Sequence, residues 1–464
     1  MLVGFAVVLR LYYEAGGPRQ AALLGWALGT GYFCHSLQWI VSPFMVDAAR
    51  HGWMAPFALV LLGGGLALFW ALAFGVGRWL SPTKSWPLLL TWSAAELIRA
   101  YVFTGFPWAM PSQVLVPSLL GQGLAWVGPY AMNGVIFAIA MAIGRPYRDP
   151  KQRKMSIGVG ALYVFLLFTP PFVGPAALTE HTIRLIQPNA AQRDKWNPEL
   201  MPGFFQRQLD YTATRPEGEE PRPDLVIWSE TAIPWPLDLA KPALDEIARA
   251  ADGAMVALGA QRRDPDNYYN SLAVLDAKGR TSQIYDKHHL VPFGEYMPLR
   301  GLMANWGVFG LAAQISGGYT PGAGAQLLDF GALGKALPLI CYEAVFPHDV
   351  SAAPERPDFL VQITNDAWFG KAAGPKQHLA QARMRAIEQG LPLARAANTG
   401  ISAMIDPHGR LLGALSLNTE GFIDAPLPKP LPPTLYSRSG DFPFALLLLL
   451  GCAGAALLCR RVYD

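Results

Sequence analysis

The sequence predicts two architectures in one chain: an α-helical multi-pass membrane domain and an α/β domain built in layers. Three observations carry this. Hydrophobic residues make up 52% of the 464 residues and charged residues only 15%, against about a quarter in a soluble protein. The shortfall is uneven, because residues 1–175 and 442–459 are apolar whereas 180–436 has the composition of a soluble domain. Within 180–436, short runs rich in Val, Ile and Leu alternate with longer helix-like stretches, the order of a layered α/β domain.

A membrane helix needs about 20 mostly apolar residues. Segments 21–41, 53–76, 86–103, 119–143 and 155–173 meet this before the polar domain, and 442–458 follows it. Residues 1–13 are apolar but too short to span, so they read as the second half of a helix. No basic stretch precedes them, and no signal peptide is read there. Gly63, Gly64 and Gly65 are expected to let neighbouring helices approach closely. Arg10 and Arg19, Arg78 and Lys84, the run Arg145, Arg148, Lys151, Arg153 and Lys154, and finally Arg460 and Arg461 fall in or beside alternate connections. The intervening connections carry only Asp47 and Arg50. The positive-inside rule puts the basic connections in the cytoplasm. The polar domain then faces outward, into the periplasm of a cell with two membranes, and the chain sits in the inner membrane.

In the polar domain, apolar runs bounded by turn residues predict strands at 182–188, 224–228, 254–260, 270–275, 336–341 and 359–364. Spacing predicts helices at 198–212, 237–251 and 377–390. Residues 425–433 contain five prolines and read as an extended linker to the last helix. The loop 305–320, rich in glycine and aromatic residues, is a candidate lid.

Chemistry concentrates at three strand-like ends. Cys341, among cysteines 34, 341, 452 and 459, is the only one in the polar stretch. No Cys-x-x-Cys pair exists, so neither a zinc knuckle nor a redox dithiol is suggested. A buried cysteine is usually a small hydrophobe, and the case for a nucleophile rests on its company. A thiol needs a base or a nearby cation to become a thiolate. Glu230, after Leu-Val-Ile-Trp, could take the proton. Lys287 could stabilise the thiolate and the oxyanion formed on attack at an acyl carbonyl. Glu343 and Glu295 could position the lysine or an amine substrate. His288 and His289 look like a metal pair, yet adjacent strand residues point to opposite faces and no third ligand stands at metal spacing, so neither metal nor cofactor is expected. Asn365 and Asp366 fit a structural role at the site's edge. The net charge of +3, without a basic run interleaved with aromatics, excludes a nucleic-acid partner.

Taken in order, these segments resemble the nitrilase superfamily, and the membrane flanks narrow the resemblance to its apolipoprotein N-acyltransferase branch. The matching stretches are Gln187-Pro188-Asn189 with Lys195-Trp196, Trp228 to Ala232, Tyr285 to Tyr296, Cys341-Tyr342-Glu343, Thr364 to Gly370, His378 with Arg385 to Glu388, and Asn398 to Ser402. The resemblance implies an αββα sandwich and ping-pong chemistry. Cys341 would take an acyl chain from a membrane phospholipid as a thioester and pass it to the α-amine of a diacylglyceryl-modified lipoprotein. It implies Glu230 as general base, Lys287 as oxyanion partner, Glu343 and Glu295 as supporting acids, and Trp196 and Tyr342 as residues shaping the site. It also implies eight spanning helices, of which 1–13 would end the second. Many soluble nitrilases assemble, but a membrane-tethered domain is expected to stay a monomer. Two other readings share the residues: a membrane-anchored nitrilase-type amidase acting on a small amide, and a non-catalytic lipid or lipoprotein carrier.

Overall fold

The computed structural model describes residues 1–145, 149–216, 218, 222–298 and 318–463. The candidate lid lies, up to residue 317, outside these described residues.

Each apolar segment forms a helix: Leu2–Glu14, Pro18–Ser36, Ala55–Leu80, Trp86–Tyr101, Leu124–Gly144, Pro150–Phe168 and the C-terminal Phe442–Tyr463. Ala48–Leu80 and Leu119–Gly144 have the length and hydropathy to cross a membrane, and Phe442–Leu458 is a shorter apolar helix. Large apolar side chains such as Phe57, Leu61, Leu68 and Leu72 stand exposed on the Ala55–Leu80 helix, as they do where lipid is the solvent. The Leu124–Gly144 helix kinks at Gly128, whose φ of 74° glycine adopts without penalty, and Pro129 follows directly.

Small residues let these helices touch. A Cβ on Gly25 would meet the Trp70 carbonyl at 2.6 Å, and one on Gly29 would meet Ala67 Cβ at 2.9 Å. Of the three consecutive glycines, Gly63 bears the expected role, since its Cβ would lie 2.6 Å from Cys34 Sγ. Gly65 faces open space.

One polar cluster is buried among the helices. Glu96 accepts from Trp70 Nε1 (2.8 Å) and from Asn133 Nδ2 (3.3 Å), and it pairs with Arg99 at 2.8 Å. Arg99 Nη1 in turn donates to the Trp108 carbonyl at 3.0 Å and to that of Phe106. The ion pair thereby fixes the connection after Tyr101, which leads towards the polar domain.

The polar domain is a sandwich of two six-stranded sheets. The first comprises β1 (Leu178–Gln187), β2 (Leu225–Ile227), β3 (Met255–Arg263), β4 (Tyr268–Leu275), β5 (Thr281–Asp286) and a late edge strand. The second comprises β6 (Leu328–Asp329), β7 (Lys335–Ile340), β8 (Phe359–Thr364), β9 (Leu393–Ala397), β10 (Ala403–Ile405) and β11 (Leu411–Ala414). The late edge strand is β12 (Gly421–Pro428), giving the orders β12-β1-β2-β3-β4-β5 and β11-β10-β9-β8-β7-β6. Each sheet has three adjacent parallel strands, β1-β2-β3 and β7-β8-β9, flanked by antiparallel ones.

Alternation sorts the side chains. Leu225, Ile227 and Leu272 pack inward against Ile340, Val361 and Ala394 of the other sheet. Val226, Trp228 and Leu258 pack outward with Phe205 and Leu209 of helix Met201–Ala213 and Leu244 and Ile247 of helix Lys241–Ala251. Leu337, Leu360 and Leu393 pack outward with Leu379 and Ala386 of helix Ala373–Gln389. Central strands covered on both faces read as continuous apolar runs, which is why they were visible in sequence. β5, β6 and β9 to β12 were not. The proline-rich 425–433 is a linker only in its second half, since 425–428 completes β12 with Pro426 opposite Thr182. Proline is tolerated there because β12 is an edge.

A leucine at Gly63 is expected to overpack the helix pair and lower stability by about 1–3 kcal/mol, whereas a leucine at Gly65 is expected to leave it within error. Thermal unfolding of the two detergent-solubilised variants, side by side, checks this, and equal midpoints would refute it.

Candidate active site

Four strand ends and one turn assemble the site. Glu230 follows β2, Cys341 follows β7 and Asn365 follows β8, so the site lies at the carboxyl edge of parallel strands in both sheets, and Lys287 joins it from the end of the antiparallel β5. Gly259 of β3 permits the Glu230 turn, because a Cβ there would meet Thr231 N at 2.5 Å and Glu230 Cα at 2.6 Å.

Lys287 is buried to 1% exposure. Its Nζ lies 2.8 Å from Glu295 Oε2, 2.9 Å from Glu295 Oε1 and 4.0 Å from Glu230 Oε1. Burial disfavours its charge, but Glu295 and Glu230 outweigh burial and hold its pKa well above the ordinary lysine value. Asn270 Nδ2 bridges the two carboxylates, at 2.7 Å from Glu230 and 3.0 Å from Glu295. Glu230 Oε2 accepts from the Asn365 backbone N–H at 2.7 Å. Glu295 Oε2 accepts from the Val291 N–H at 2.8 Å.

Cys341 is buried and takes φ 52°, a conformation that a non-glycine residue adopts only where its surroundings enforce it. The enforcing contacts are buried polar groups. Gln362 Nε2 donates to the Cys341 carbonyl at 3.3 Å, and His378 Nε2 lies 3.0 Å from the same oxygen. His378 Nδ1 is 2.8 Å from Asp366 Oδ1, and Arg395 binds Asp366 Oδ2 at 2.7 Å. Burial would raise the Asp366 carboxyl, but Arg395 and His378 outweigh it and draw its pKa down to about 2. Burial pushes the Cys341 thiol well above its usual value, Glu230 adds to this, and Lys287 opposes it. The resting group is therefore a thiol, with a carboxylate and an ammonium at hand to change that.

Glu343 reaches the lysine segment through its backbone and not through the ammonium. It is completely buried, and its hydrogen bonds go to β5, to the end of β7 and to the segment after Lys287. Oε2 accepts from Ile340 N (2.7 Å), while Oε1 accepts from His288 N (2.8 Å) and Tyr285 OH (2.8 Å). It ties the cysteine turn to the segment after Lys287. His288 sits beside it, with Nδ1 2.8 Å from Glu343 and Nε2 3.9 Å from Asp349. Burial disfavours the imidazolium, but Asp349 and Glu343 outweigh burial and push its pKa from 6.5 up to about 10. His289, His348 and Asp349 bring ligand-type atoms within 4.8 Å of one another. Both ring nitrogens of His289 already have protein partners, Asp349 at 2.7 Å and the Thr104 carbonyl at 3.1 Å.

The membrane part roofs this site. Besides the Thr104 contact, Tyr342 OH points at the Gly105 carbonyl, 3.5 Å away. Gly105 takes φ 75°, and a Cβ there would lie 3.1 Å from Phe346. Trp108 donates to Gln377 at 2.8 Å and lies 5.4 Å from the His378 ring. Trp196 stands on the other side of the Glu230 turn, its ring 5.6 Å from Lys195 Nζ. Lys195 Nζ donates to the Glu230 carbonyl (3.1 Å) and to Thr231 Oγ1 (2.9 Å), and burial, outweighing the pull of Glu230, draws its pKa down to about 8. The roof, Asn270 and the role of Lys195 were not read from sequence. One signal for the roof was available, two charges three residues apart, Glu96 and Arg99, inside an apolar span.

Known proteins carry the same two-part plan. The carbon-nitrogen hydrolase family matches residues 198–431, and the apolipoprotein N-acyltransferase N-terminal domain matches residues 1–142. An apolipoprotein N-acyltransferase of Bradyrhizobium diazoefficiens is 38% identical, covering 99% of this chain and 90% of its own. The chain belongs to the apolipoprotein N-acyltransferase family. A second member, from Rhodopseudomonas palustris, is 37% identical over 94% of this chain and 86% of its own. Among solved structures, an amidase from Nesterenkonia sp. AN1 is similar at TM-score 0.40 and 19% identity, covering 58% of this chain and 98% of that one. A CN-hydrolase superfamily protein from Xanthomonas campestris is similar at TM-score 0.39 and 19% identity, covering 54% and 91%. The chain is thus an acyltransferase enzyme of the nitrilase superfamily, and the match of its N-terminal domain favours that reading over a membrane-anchored amidase.

Two measurements probe the electrostatics directly. Lys287→Met removes the cation that opposes the rise of the Cys341 thiol, so alkylation of Cys341 by iodoacetamide at pH 8 is expected to slow by about tenfold or more, one pKa unit being a factor of ten. An unchanged rate would sink that account. His288 has a raised pKa, so its contribution to stability is complete below pH 6.5 and is lost as pH rises through about 10. The gap in melting temperature between the wild type and His288→Gln is therefore expected to be widest below pH 6.5 and to close near pH 10. A gap that widens with pH would show the opposite sign.

Proposed function

We propose that this chain transfers a fatty acyl chain from a membrane phospholipid to the N-terminal α-amine of an S-diacylglyceryl-cysteine lipoprotein, through a thioester on Cys341. The observation that carries this is the convergence of Glu230, Lys287 and Cys341 in one buried site beneath a loop from the membrane part. Glu230 takes the thiol proton as Sγ attacks the ester carbonyl. The Lys287 ammonium, kept charged by Glu295, stabilises the developing oxyanion. Collapse breaks the ester C–O bond, and Glu230 returns the proton to the departing lysophospholipid oxygen. The lipoprotein amine then attacks the thioester and Glu230 accepts its proton. The amide forms, and the thiolate leaves to recover a proton as the resting thiol.

Trp196 and Tyr342 bound the site and shape the access of both substrates in this reading, and Glu343 supports Lys287 through the backbone that follows it. The domains divide into a helical membrane part at 1–175, a catalytic domain at 180–436 and a returning helix at 442–459. The exposed apolar faces of the helices and the basic connections favour a multi-pass inner-membrane protein with its catalytic domain in the periplasm, and in this reading it acts as a monomer.

Intact mass after incubation with phospholipid, beside Cys341→Ala, tests the chemistry. A fatty-acyl adduct labile to hydroxylamine is expected on the wild type alone. An adduct that persists on Cys341→Ala, or none with any phospholipid while small amides are hydrolysed, would overturn the thioester.

A further inference from the structure

A second cavity lies away from Cys341, where the membrane part meets the opposite flank of the catalytic domain. It has a volume of about 330 Å³ and shares no lining residue with the site described above. Trp126, at the start of the Leu124–Gly144 helix, and Phe172, just after the Pro150–Phe168 helix, form one side. They are 66% and 81% exposed, so the mouth opens between side chains that face outward from the helices. Ile387 of the Ala373–Gln389 helix forms the wall on the catalytic side. His378 of the same helix touches the Cys341 carbonyl nine residues earlier, about 14 Å away along a helix rising 1.5 Å per residue.

The cavity has one polar end. Gln122 Nε2 donates to the His408 carbonyl at 3.1 Å, and His408 Nδ1 donates back to Gln122 Oε1 at 3.2 Å. Among the described residues, His408 Nε2 has no protein partner. Burial, opposed by Asp406 and aided by Arg410, holds the His408 pKa below its ordinary value, so the ring is neutral near pH 7.

We infer that this cleft is a binding site for a bilayer phospholipid, one acyl chain lying between Trp126, Phe172 and Ile387 and the headgroup region at Gln122 and His408. Its volume falls in the range of small-molecule sites. Apolar walls make it a poor home for water, and large aromatic side chains exposed at helix ends mark the interfacial level of a membrane protein. A polypeptide approaching from solution would have to displace lipid to reach the mouth, whereas a lipid chain enters sideways from the bilayer. The site is separate from the acyl donor's, and it rests on the membrane placement of the family and not on the thioester chemistry.

The test uses full-length Cys341→Ala protein, in which no acyl transfer to that residue can occur. The protein is placed in phosphatidylcholine nanodiscs with rising fractions of a phosphatidylethanolamine carrying a diazirine near one acyl terminus. After irradiation, adducts on Trp126 and Phe172 are expected to saturate at low probe fraction, while those on the lipid-facing Leu61 and Leu72 rise in proportion to the probe. Ala125→Trp, which fills the cleft from the membrane side, and Ile387→Trp, which fills it from the catalytic side, are each expected to cut the saturable adducts at least fivefold. Proportional labelling of Leu61 and Leu72 in both variants reports that they remain embedded. Adducts at Trp126 and Phe172 that grow linearly like those at Leu61, or saturable adducts that survive both variants, would overturn the site.

Discussion

The structure turns on one buried cation. Lys287 carries a charge with almost no access to water, a state that costs several kcal/mol unless it is fully paired. Its pairing draws in much of the surrounding architecture. Glu295 reaches it from the turn after Lys287, Glu230 from the end of β2, and Asn270 of β4 spaces the two carboxylates. Neither carboxylate is free to move, because each also accepts a backbone N–H, from Asn365 or from Val291. A sandwich that delivers these elements to one place has little latitude in register, since shifting a strand by one residue would send every side chain to the other face.

The cysteine is governed by a second constraint, strain. Its positive φ aims Sγ away from the path the strand would otherwise follow, and the cost is met from below by Gln362, His378, Asp366 and Arg395. These groups are all fully buried, and each is satisfied by another in the set. Cys341 is therefore held by a buried polar cluster, while Glu230 and Lys287 act on its sulfur in opposite directions. Geometry and reactivity are thus set by different residues.

Much of this was legible in the sequence, and the division has a physical basis. Strands buried on both faces, β1 to β4, β7 and β8, leave runs rich in Val, Ile and Leu, interrupted in places by buried polar residues such as Arg184 in β1 and Gln362 in β8. β9 hides a buried Arg395 among alanines, and β12 hides among prolines, so neither carries that signature. Glu230, Lys287 and Cys341 were readable because each follows a recognisable strand or motif and their order matches a family. The bonding of Glu343 was not, because its partners are backbone amides of His288 and Ile340, which no side-chain pattern encodes. Nor was the roof, since a contact between Thr104 and His289 spans 185 residues of sequence.

That roof has a further consequence. Its loop is fixed from beneath by Arg99, whose guanidinium holds the Trp108 carbonyl while Glu96 holds the guanidinium. In a fragment without the helices, Tyr342, Phe346 and His289 would lose the surface that covers them. An acyl-enzyme in such a fragment would sit open to water, and hydrolysis would compete with any amine for the thioester. In the proposed reaction the helical part would therefore keep the site dry as well as hold it at the bilayer, and the buried Glu96–Arg99 pair would govern how dry the chemistry stays.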